Sequence, residues 1–296
     1  MIPAVFCQKV TILGVGLLGG SLGLALRQRR LAGRVVGHVR RAASVAECIG
    51  AGAVDEATLD LAGAVAEADL VVLCTPIGRM RALGERLLPH LKRGAIVTDV
   101  GSVKAGVVAE LEPICREAGA HFIGSHPMAG AEKMGVGAAR ADLYLGAVCV
   151  VTPTPQSDAA ALARVEALWT ALGARVLRLK PGEHDDLVSR SSHLVHLVAA
   201  QLAGFVLAPD RPREQAMLCA SGFRDTTRVA SGSPEMWRDI ARANRDALVR
   251  ALDGFAGELR VMRDQVAAGD DEALHAFLME AKARRDAWVT NGSSPE

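Results

Sequence analysis

A glycine-rich turn near the N-terminus, in the stretch VTILGVGLLGGS, constrains the fold more than any other part of the sequence. The apolar, β-branched run Lys9–Leu13 predicts a strand. Gly14, Gly16 and Gly19 follow at once in GxGxxG spacing, and Ser21–Arg30 has the apolar spacing of a helix. A strand, three spaced glycines and a helix in this order are typical of a dinucleotide-binding turn.

Each glycine has a predicted task in such a turn. Gly14 permits the tight turn, Gly16 leaves room for a pyrophosphate, and Gly19 allows the helix to pack closely on the strand. The backbone N–H groups of Leu17 and Leu18, at the positive end of the helix dipole, are expected to face the phosphates. The alternative is a glycine-rich turn that binds no ligand.

The second predicted strand indicates which dinucleotide is preferred. It covers Arg34–Val39 and is followed by Arg40 and Arg41, whereas folds selective for NAD place an acidic residue at the end of this strand. A guanidinium group binds phosphate as a planar fork, so two arginines here favour NADP, with its 2′-phosphate, over NAD. Alternatively both arginines are solvated surface charges, and NAD is also accepted.

The first 180 residues alternate between strands and helices. Thr75 and Pro76 end the third strand at the sheet edge where open α/β folds bind ligands, and we expect them to contact the cofactor. The alternation predicts an α/β fold with a Rossmann-type, doubly wound, mostly parallel sheet. The further predicted strands are Asp69–Cys74, Ala95–Asp99, His121–Ile123, Tyr144–Thr152 and Ala174–Leu179, with helices at Met80–Leu91, Val107–Glu117 and Asp158–Leu172.

From Pro181 onward the sequence has helical spacing throughout. We therefore predict two domains, a dinucleotide-binding domain over 1–180 and an all-α domain over 181–296. Pro234–Val266 is expected to form one long helix with a coiled-coil-type apolar seam, and Asp271–Trp288 repeats the amphipathic pattern. Such a seam favours a homodimer formed through these helices; the alternative is packing within one subunit.

Composition excludes several classes of protein. The net charge of +1 gives no reason to expect nucleic acid or an anionic membrane as a partner, and no apolar run reaches the ~20 residues that span a bilayer. The six cysteines are scattered without a Cys-x-x-Cys pair, as is usual for reduced thiols. No signal peptide is apparent, so we expect a cytoplasmic protein.

Two further stretches carry candidate chemistry. The loop GSHPMAGAEK brings His126, Glu132 and Lys133 together among glycines and a proline. His193 and His196 lie three residues apart and could share one helix face. A His-x-x-His pair can indicate a metal site, but no third ligand follows at a recognisable spacing, and we predict no metal. His126 could instead be a loop histidine that the backbone satisfies.

Several longer motifs together resemble the prephenate/arogenate dehydrogenase family of tyrosine biosynthesis. They are DVGSVK at 99–104, GSHPMAGAEKMG at 124–135, ADLYLGAVCVVTP at 141–153, SHLVHL at 192–197 and GFRDTTRVASGSPEMWRDI at 222–240. The resemblance implies a nucleotide-binding domain, a helical dimerisation domain, and oxidative decarboxylation of prephenate or arogenate. The alternatives are another two-domain dehydrogenase of the 6-phosphogluconate or imine-reductase type, or a cofactor-binding protein without catalysis.

The resemblance also implies residue roles. His126 would polarise the ring hydroxyl of the substrate, since a neutral imidazole can accept a proton near pH 7. Ser102 would hydrogen-bond His126 or that hydroxyl and would also lie beside the cofactor. Arg228 would clamp a substrate carboxylate, and His196 and His193 would bind the substrate from one helix.

The remaining expected site residues are less central. Glu132 resembles the gating acid of the family, and Asp225 and Trp237 match positions that shape its pocket. Lys104 and Lys133 could steer the dianionic substrate, or they are solvated loop charges. Arg224 could be a surface residue. The family usually has SHLPH where this chain has SHLVH, so Val195 restores a backbone donor and His196 could be slightly displaced.

Overall fold

The computed structural model describes residues 6–130 and 133–292. Within that part of the chain the strands form one eight-stranded sheet in the order β3-β2-β1-β4-β5-β6-β7-β8. The strands are β1 (Cys7–Leu13), β2 (Ala32–His38), β3 (Glu56–Thr58), β4 (Leu70–Leu73), β5 (Ile96–Asp99), β6 (His121–Pro127), β7 (Val148–Thr152) and β8 (Arg175–Arg178). Neighbours from β3 to β6 are parallel, β7 runs antiparallel to β6, and β8 is parallel to β7.

Helices cover both faces of this sheet, as the predicted doubly wound fold requires. All four residues of β4 are buried, and the sheet is flanked by two hydrophobic clusters, one containing Leu22 and Trp169 and the other Leu87 and Leu111. The helices of this part are α1 (Leu17–Gln28), α2 (Ala42–Gly50), α3 (Leu61–Val65), α4 (Met80–Leu87), α5 (Ala105–Glu117) and α6 (Ala159–Ala171). The predicted fold class is thereby confirmed.

The helical part of the chain begins at Pro181. It contains α7 (Pro181–Val188), a π-helical segment (Ser189–Leu194), α8 (Val195–Val206), α9 (Arg213–Met217), α10 (Ser221–Thr227), a 3-10 turn (Arg228–Ser231), α11 (Pro234–Ala243), α12 (Arg245–Ala268) and α13 (Asp271–Gly292). By contacts, the chain divides into one compact unit up to Arg245 and a second from Asp246 onward. The predicted boundary between residues 180 and 181 stays a prediction.

Two predictions of local structure were wrong, and one strand was not predicted. The helix expected over Pro234–Val266 is interrupted at Asn244, which leaves the helical region with φ −113° and ψ 33°. The strand expected to begin at Tyr144 begins at Val148 instead. Tyr144 lies in the turn before β7, where its hydroxyl donates a hydrogen bond to the carbonyl of Leu18 at 2.7 Å. The short strand β3 was missed because three residues carry too little periodicity to be recognised.

The second unit exposes apolar side chains. On α12, Leu252, Phe255, Leu259 and Val266 of the predicted seam are exposed, as is Trp288 on α13. Among the described residues, no helix combines the length and apolar character needed to cross a membrane.

Candidate active site

The glycine turn between β1 and α1 has the geometry that its sequence predicts. Gly14 has φ +98°, and a Cβ atom there would lie 2.6 Å from the carbonyl oxygen of Cys74 at the end of β4. A Cβ at Gly19 would lie 2.1 Å from the carbonyl oxygen of Gly14, whereas a Cβ at Gly16 would meet no atom within 4 Å. The backbone is therefore closely packed at Gly14 and Gly19, whereas there is free space at Gly16, the position expected to face a pyrophosphate.

A cavity of about 560 Å³ opens from this turn. Gly14 and Gly16 form one side of it, and Thr75 and Pro76 after β4 form another. The Thr75 hydroxyl oxygen is buried without a hydrogen-bond partner among the described residues. The glycines leave the backbone accessible beside the N-terminus of α1, and the Thr75 hydroxyl can bond a ligand in the same cavity. This arrangement fits a dinucleotide.

Four arginines also line this cavity: Arg40, Arg41, Arg79 and Arg86. The Arg41 guanidinium donates to the Ser44 hydroxyl at 3.2 Å. Sequence analysis identified the pair after β2 but missed Arg79 and Arg86, because these belong to the connection after β4 and reach the cavity only through the fold.

The ends of the parallel strands place the remaining site residues along one edge. Thr75 follows β4, Ser102 follows β5, and His126 lies on β6 itself, one residue before its end. Since neighbouring strands are about 4.8 Å apart, these residues succeed one another along the edge that begins at the glycine turn. The expected loop position of His126 was wrong, because β6 continues through Pro127 by pairing with β7.

A chain of hydrogen bonds leads away from His126 into the helical part. Nδ1 of His126 lies 2.8 Å from Nε2 of His184, and Nδ1 of His184 lies 2.8 Å from Oδ1 of Asp185. The Asp185 carboxylate also accepts the backbone N–H groups of Lys104 at 2.7 Å and Ala105 at 2.8 Å, at the start of α5. Sequence analysis did not identify His184 or Asp185, because the contact spans 58 residues and neither belongs to a recognised spacing.

Burial strongly affects the protonation of His126. The side chain is 8% exposed, and desolvation, followed by the proximity of His184, Lys104 and His193, lowers its pKa well below the usual value of 6.5. Among the described residues, no group hydrogen-bonds its Nε2. Burial therefore favours a neutral His126 imidazole, whose Nε2 makes no hydrogen bond to these residues.

Lys104 does not face the substrate region, and its expected steering role was wrong. Its side chain is fully buried, and its ammonium group pairs with Asp99 and donates to the carbonyl of Ser125 at 2.9 Å. The Ser125 hydroxyl in turn accepts from Nε1 of Trp169 at 3.1 Å. Lys104 thus fixes the ends of β5 and β6, between which the site lies.

The second histidine group lies on the π-helical segment and α8. Nδ1 of His193 lies 3.1 Å from the side-chain nitrogen of Asn244, and burial lowers the pKa of His193 to about 4. His196 stacks on Trp237, with ring centroids 3.6 Å apart and planes inclined by 12°. Nε2 of His193 and Nδ1 of His196 are both buried without a partner among the described residues.

The helix that carries Trp237 is close to the cofactor edge of the sheet. α11 contacts the turn Ile77–Arg79 after β4, and a Cβ at Gly78 would lie 3.2 Å from a carboxylate oxygen of Asp239. Trp237 therefore lies on a helix that packs against the turn after β4, and Arg79 of that turn lines the cavity at the glycine turn.

Other predicted site residues are more exposed. Arg228 and Arg224 line a second cavity of about 430 Å³, together with Phe223 and Thr227. Asp225 and Lys133 are exposed, and Ser102 is half-buried without a hydrogen bond to His126 among the described residues. Glu132 lies outside the described residues. The roles assigned to these side chains stay predictions.

Comparison with known proteins identifies the family. The model of the prephenate dehydrogenase nucleotide-binding domain matches residues 22–178, and that of the prephenate dehydrogenase dimerization domain matches residues 180–280. The chain belongs to the prephenate dehydrogenase family. The predicted family is confirmed, and with it a dehydrogenase with a nicotinamide cofactor. The 6-phosphogluconate and imine-reductase alternatives have no support from these matches.

Relatives and solved structures of this family cover most of the chain. A cyclohexadienyl dehydrogenase of Zymomonas mobilis is 35% identical over 240 residues, which are 80% of this chain and 81% of the relative. A prephenate dehydrogenase of Aquifex aeolicus, solved with hydroxyphenyl propionate and NAD+, has a TM-score of 0.89 at 33% identity and covers 95% of this chain and 98% of its own. A Synechocystis arogenate dehydrogenase has a TM-score of 0.80 at 33% identity, and the match covers 95% of this chain and 99% of that protein.

The His, Cys, Asp and Glu side chains do not form a metal site in the described part of the chain. Over residues 6–130 and 133–292, no three His, Cys, Asp or Glu side chains are arranged to hold a metal ion. The two histidines of the SHLVH segment instead contact Trp237 and Asn244.

Proposed function

We propose that this prephenate dehydrogenase family member oxidatively decarboxylates prephenate to 4-hydroxyphenylpyruvate, with NADP+ preferred to NAD+. The observation that supports it most is the buried His126, whose Nδ1 is bonded to His184 and whose Nε2 is available. Prephenate carries a ring hydroxyl at C4 and a carboxylate at C1. A group that takes the hydroxyl proton promotes hydride loss from C4, and loss of CO₂ makes the ring aromatic.

The dinucleotide would be held by the cavity at the glycine turn. Gly14, Gly16 and Gly19 with the N-terminus of α1 would bind its pyrophosphate, and Thr75 and Pro76 would contact it after β4. When bound, the nicotinamide supplies the acceptor for the hydride. Arg40 and Arg41 line the same cavity, and their guanidinium groups are the proposed ligands of the 2′-phosphate.

The remaining roles concern the substrate. His126 would accept the hydroxyl proton at Nε2, with Ser102 beside it at the end of β5. Arg228 would bind a substrate carboxylate. His196, whose ring is stacked on Trp237, would contact the substrate. His193, Asp225 and Glu132 are proposed to complete the binding site.

Arogenate is the second candidate substrate. It differs from prephenate at one side-chain centre, which carries an ammonium group in place of a keto group. The similarity to a cyclohexadienyl dehydrogenase and to an arogenate dehydrogenase favours a test with both compounds.

The chain is also proposed to form a homodimer through its C-terminal helices. Its match to a dimerization domain over 180–280 and the exposed apolar side chains of α12 and α13 support this assembly. Light scattering on the purified protein should give twice the mass of 31.0 kDa. The six free cysteines are consistent with a cytoplasmic protein.

A single assay tests the proposed activity. Purified protein is mixed with prephenate or arogenate and with NADP+ or NAD+, and the absorbance of the reduced nicotinamide is followed together with the aromatic product. Turnover of prephenate with a higher kcat/KM for NADP+ than for NAD+ is expected. Absence of turnover with all four combinations would refute the proposed activity and leave the alternative of a cofactor-binding protein without catalysis.

A further inference from the structure

Asp185 is bonded to both histidine groups of the site, through different atoms. Its carboxylate accepts from Nδ1–H of His184 and from the N–H groups of Lys104 and Ala105, and its backbone carbonyl accepts from the side chain of Asn244 at 2.8 Å. The side chain is nearly buried, and the positive end of α5 faces it. With three N–H groups directed at it, the carboxylate acts only as an acceptor.

The first consequence concerns His126. If Nδ1 of His184 carries the proton that Asp185 accepts, then Nε2 of a neutral His184 is an acceptor. Nδ1 of His126, 2.8 Å away, must then be the donor. The unprotonated nitrogen of His126 is therefore Nε2.

The second consequence concerns His193. The side-chain nitrogen of Asn244 is identified by its contact with a carbonyl oxygen, that of Asp185, which can only accept. The same amide group lies 3.1 Å from Nδ1 of His193, so Nδ1 is the acceptor and the proton is on Nε2. That Nε2–H is buried without a partner among the described residues and is thus an unused donor.

We propose that Asp185 is a positioning residue that assigns opposite proton roles to the two histidines, making His126 an acceptor at Nε2 and His193 a donor at Nε2. The chemical roles rest on the proposed function: Nε2 of His126 takes the substrate hydroxyl proton, and Nε2–H of His193 donates to an oxygen of the same substrate. After the transfer, His126 carries protons on both nitrogens. Its Nδ1–H bond to His184 then connects the new positive charge to the Asp185 carboxylate.

The titratable groups that face His126 have different effects on its protonation. The Lys104 ammonium opposes a further positive charge and is paired with Asp99, whereas His184 from α7 and His193 from the π-helical segment are neutral in this arrangement and accept at Nε2 and Nδ1, respectively. The thiol of Cys149 on the neighbouring strand bonds the backbone of His126 and not its ring among the described residues. Asp185 is therefore the carboxylate that reaches the His126 ring, through His184.

Nitrogen NMR on the intact protein tests the assignment without any turnover. Protonated and unprotonated imidazole nitrogens have well-separated ¹⁵N shifts, and the signals are assigned by their loss in His126→Gln and His193→Gln. The expected wild-type spectrum shows His126 protonated at Nδ1 and His193 protonated at Nε2. A wild-type His126 protonated at Nε2, or a His193 protonated at Nδ1, would overturn the proposal, and neither result requires an altered Asp185 to fold.

Two substitutions test the hydrogen bonds that lead from Asp185 to His126 and to His193 separately. In Asp185→Asn the amide offers a donor as well as an acceptor, so His126 should lose its fixed Nδ1–H form. In Asn244→Asp the carboxylate cannot donate to His193, so His193 alone should move its proton to Nδ1. The matched control is Asp69→Asn, since Asp69 also accepts two consecutive backbone N–H groups, of Gln8 at 2.6 Å and Lys9 at 3.0 Å, but at the opposite edge of the sheet.

Kinetics then measures the consequence for the reaction. In Asp185→Asn, kcat for prephenate should fall by about 10²–10⁴-fold, as when the carboxylate of a catalytic triad is replaced by its amide, with KM within a few-fold. The acidic limb of its pH profile should move to lower pH, because the charge that stabilises protonated His126 is lost. An unchanged His126 tautomer and acidic limb in folded Asp185→Asn would refute the proposal. Absence of wild-type turnover would refute only the proposed function, since the NMR result would still stand.

Discussion

The rings of His196 and Trp237 are stacked with centroids 3.6 Å apart, and Gly232 lies against the edges of both. A Cβ atom at Gly232 would lie 2.6 Å from Nε1 of Trp237 and 3.1 Å from Cε1 of His196. The φ angle of Gly232 is −65°, so any residue could adopt the backbone. It is the stacked pair that leaves no room for a side chain.

Gly232→Ala should therefore displace the pair and weaken substrate binding. We expect KM for prephenate to rise by roughly tenfold or more, since overpacking a closely packed group costs about 1–3 kcal/mol. The control is Gly222→Ala on α10, where a Cβ would meet no atom within 4 Å. Equal KM values in the two variants would show that the stacked pair does not shape the substrate site.

Burial of His193 predicts a loss of stability in mild acid. Its pKa is lowered to about 4 in the folded protein, mainly by burial, whereas an unfolded histidine titrates near 6.5. Between these values the unfolded chain binds the extra proton, so stability rises with pH across this window and falls as the pH drops from 6.5 toward 4.

Urea unfolding at pH 7 and at pH 5 measures this effect. His193→Gln should reduce the difference between the two midpoints, because the titrating group is removed. The control is His275→Gln, at an exposed position on α13, which should leave the difference as in wild type. A difference that is the same in His193→Gln as in wild type would contradict the assignment.

The parts of the fold that sequence predicts are those fixed by local chemistry. Gly14 has a positive φ, Gly19 lies where packing excludes a Cβ, and Gly16 leaves the turn open, so the pattern of the three glycines is visible in one stretch. Strand β4 is apolar throughout because both faces of a parallel sheet are covered. Such features need no knowledge of distant residues.

The features that sequence missed depend on distant contacts. His126 is held in a strand by β7, although Gly124 and Pro127 disfavour one locally. His184 reaches His126 across 58 residues, and Asn244 interrupts a periodic helix while its side chain bonds Asp185 at a separation of 59. Lys104 resembles a free loop cation until the fold buries it on Asp99.

Arg228 is predicted to bind a substrate carboxylate. Arg228→Ala should chiefly raise KM for prephenate, by about 10-fold to 100-fold, because a hydrogen bond to a charged group contributes about 1.5–3 kcal/mol. The control is Arg175→Ala on the exposed strand β8. An unchanged KM in Arg228→Ala would remove this residue from the carboxylate site.

Arg40 and Arg41 are predicted to select NADP+. The double substitution to alanine should raise KM for NADP+ by about 10-fold to 100-fold, since charge-assisted bonds to the 2′-phosphate are lost. KM for NAD+ in the same variant is the internal control and should change little. Equal changes for both dinucleotides would mean that the two arginines act on a part that NADP+ and NAD+ share.

Steady-state turnover of prephenate by His126→Asn, beside wild type and under saturating NADP+, tests the central claim most directly. Asparagine retains a polar group at the end of β6 but cannot take up the hydroxyl proton. We expect kcat to fall by about 10²–10⁴-fold, the usual contribution of a general base, with KM for prephenate largely kept. A kcat near that of wild type, with or without a collapse of binding, would contradict the role of His126 as the proton acceptor.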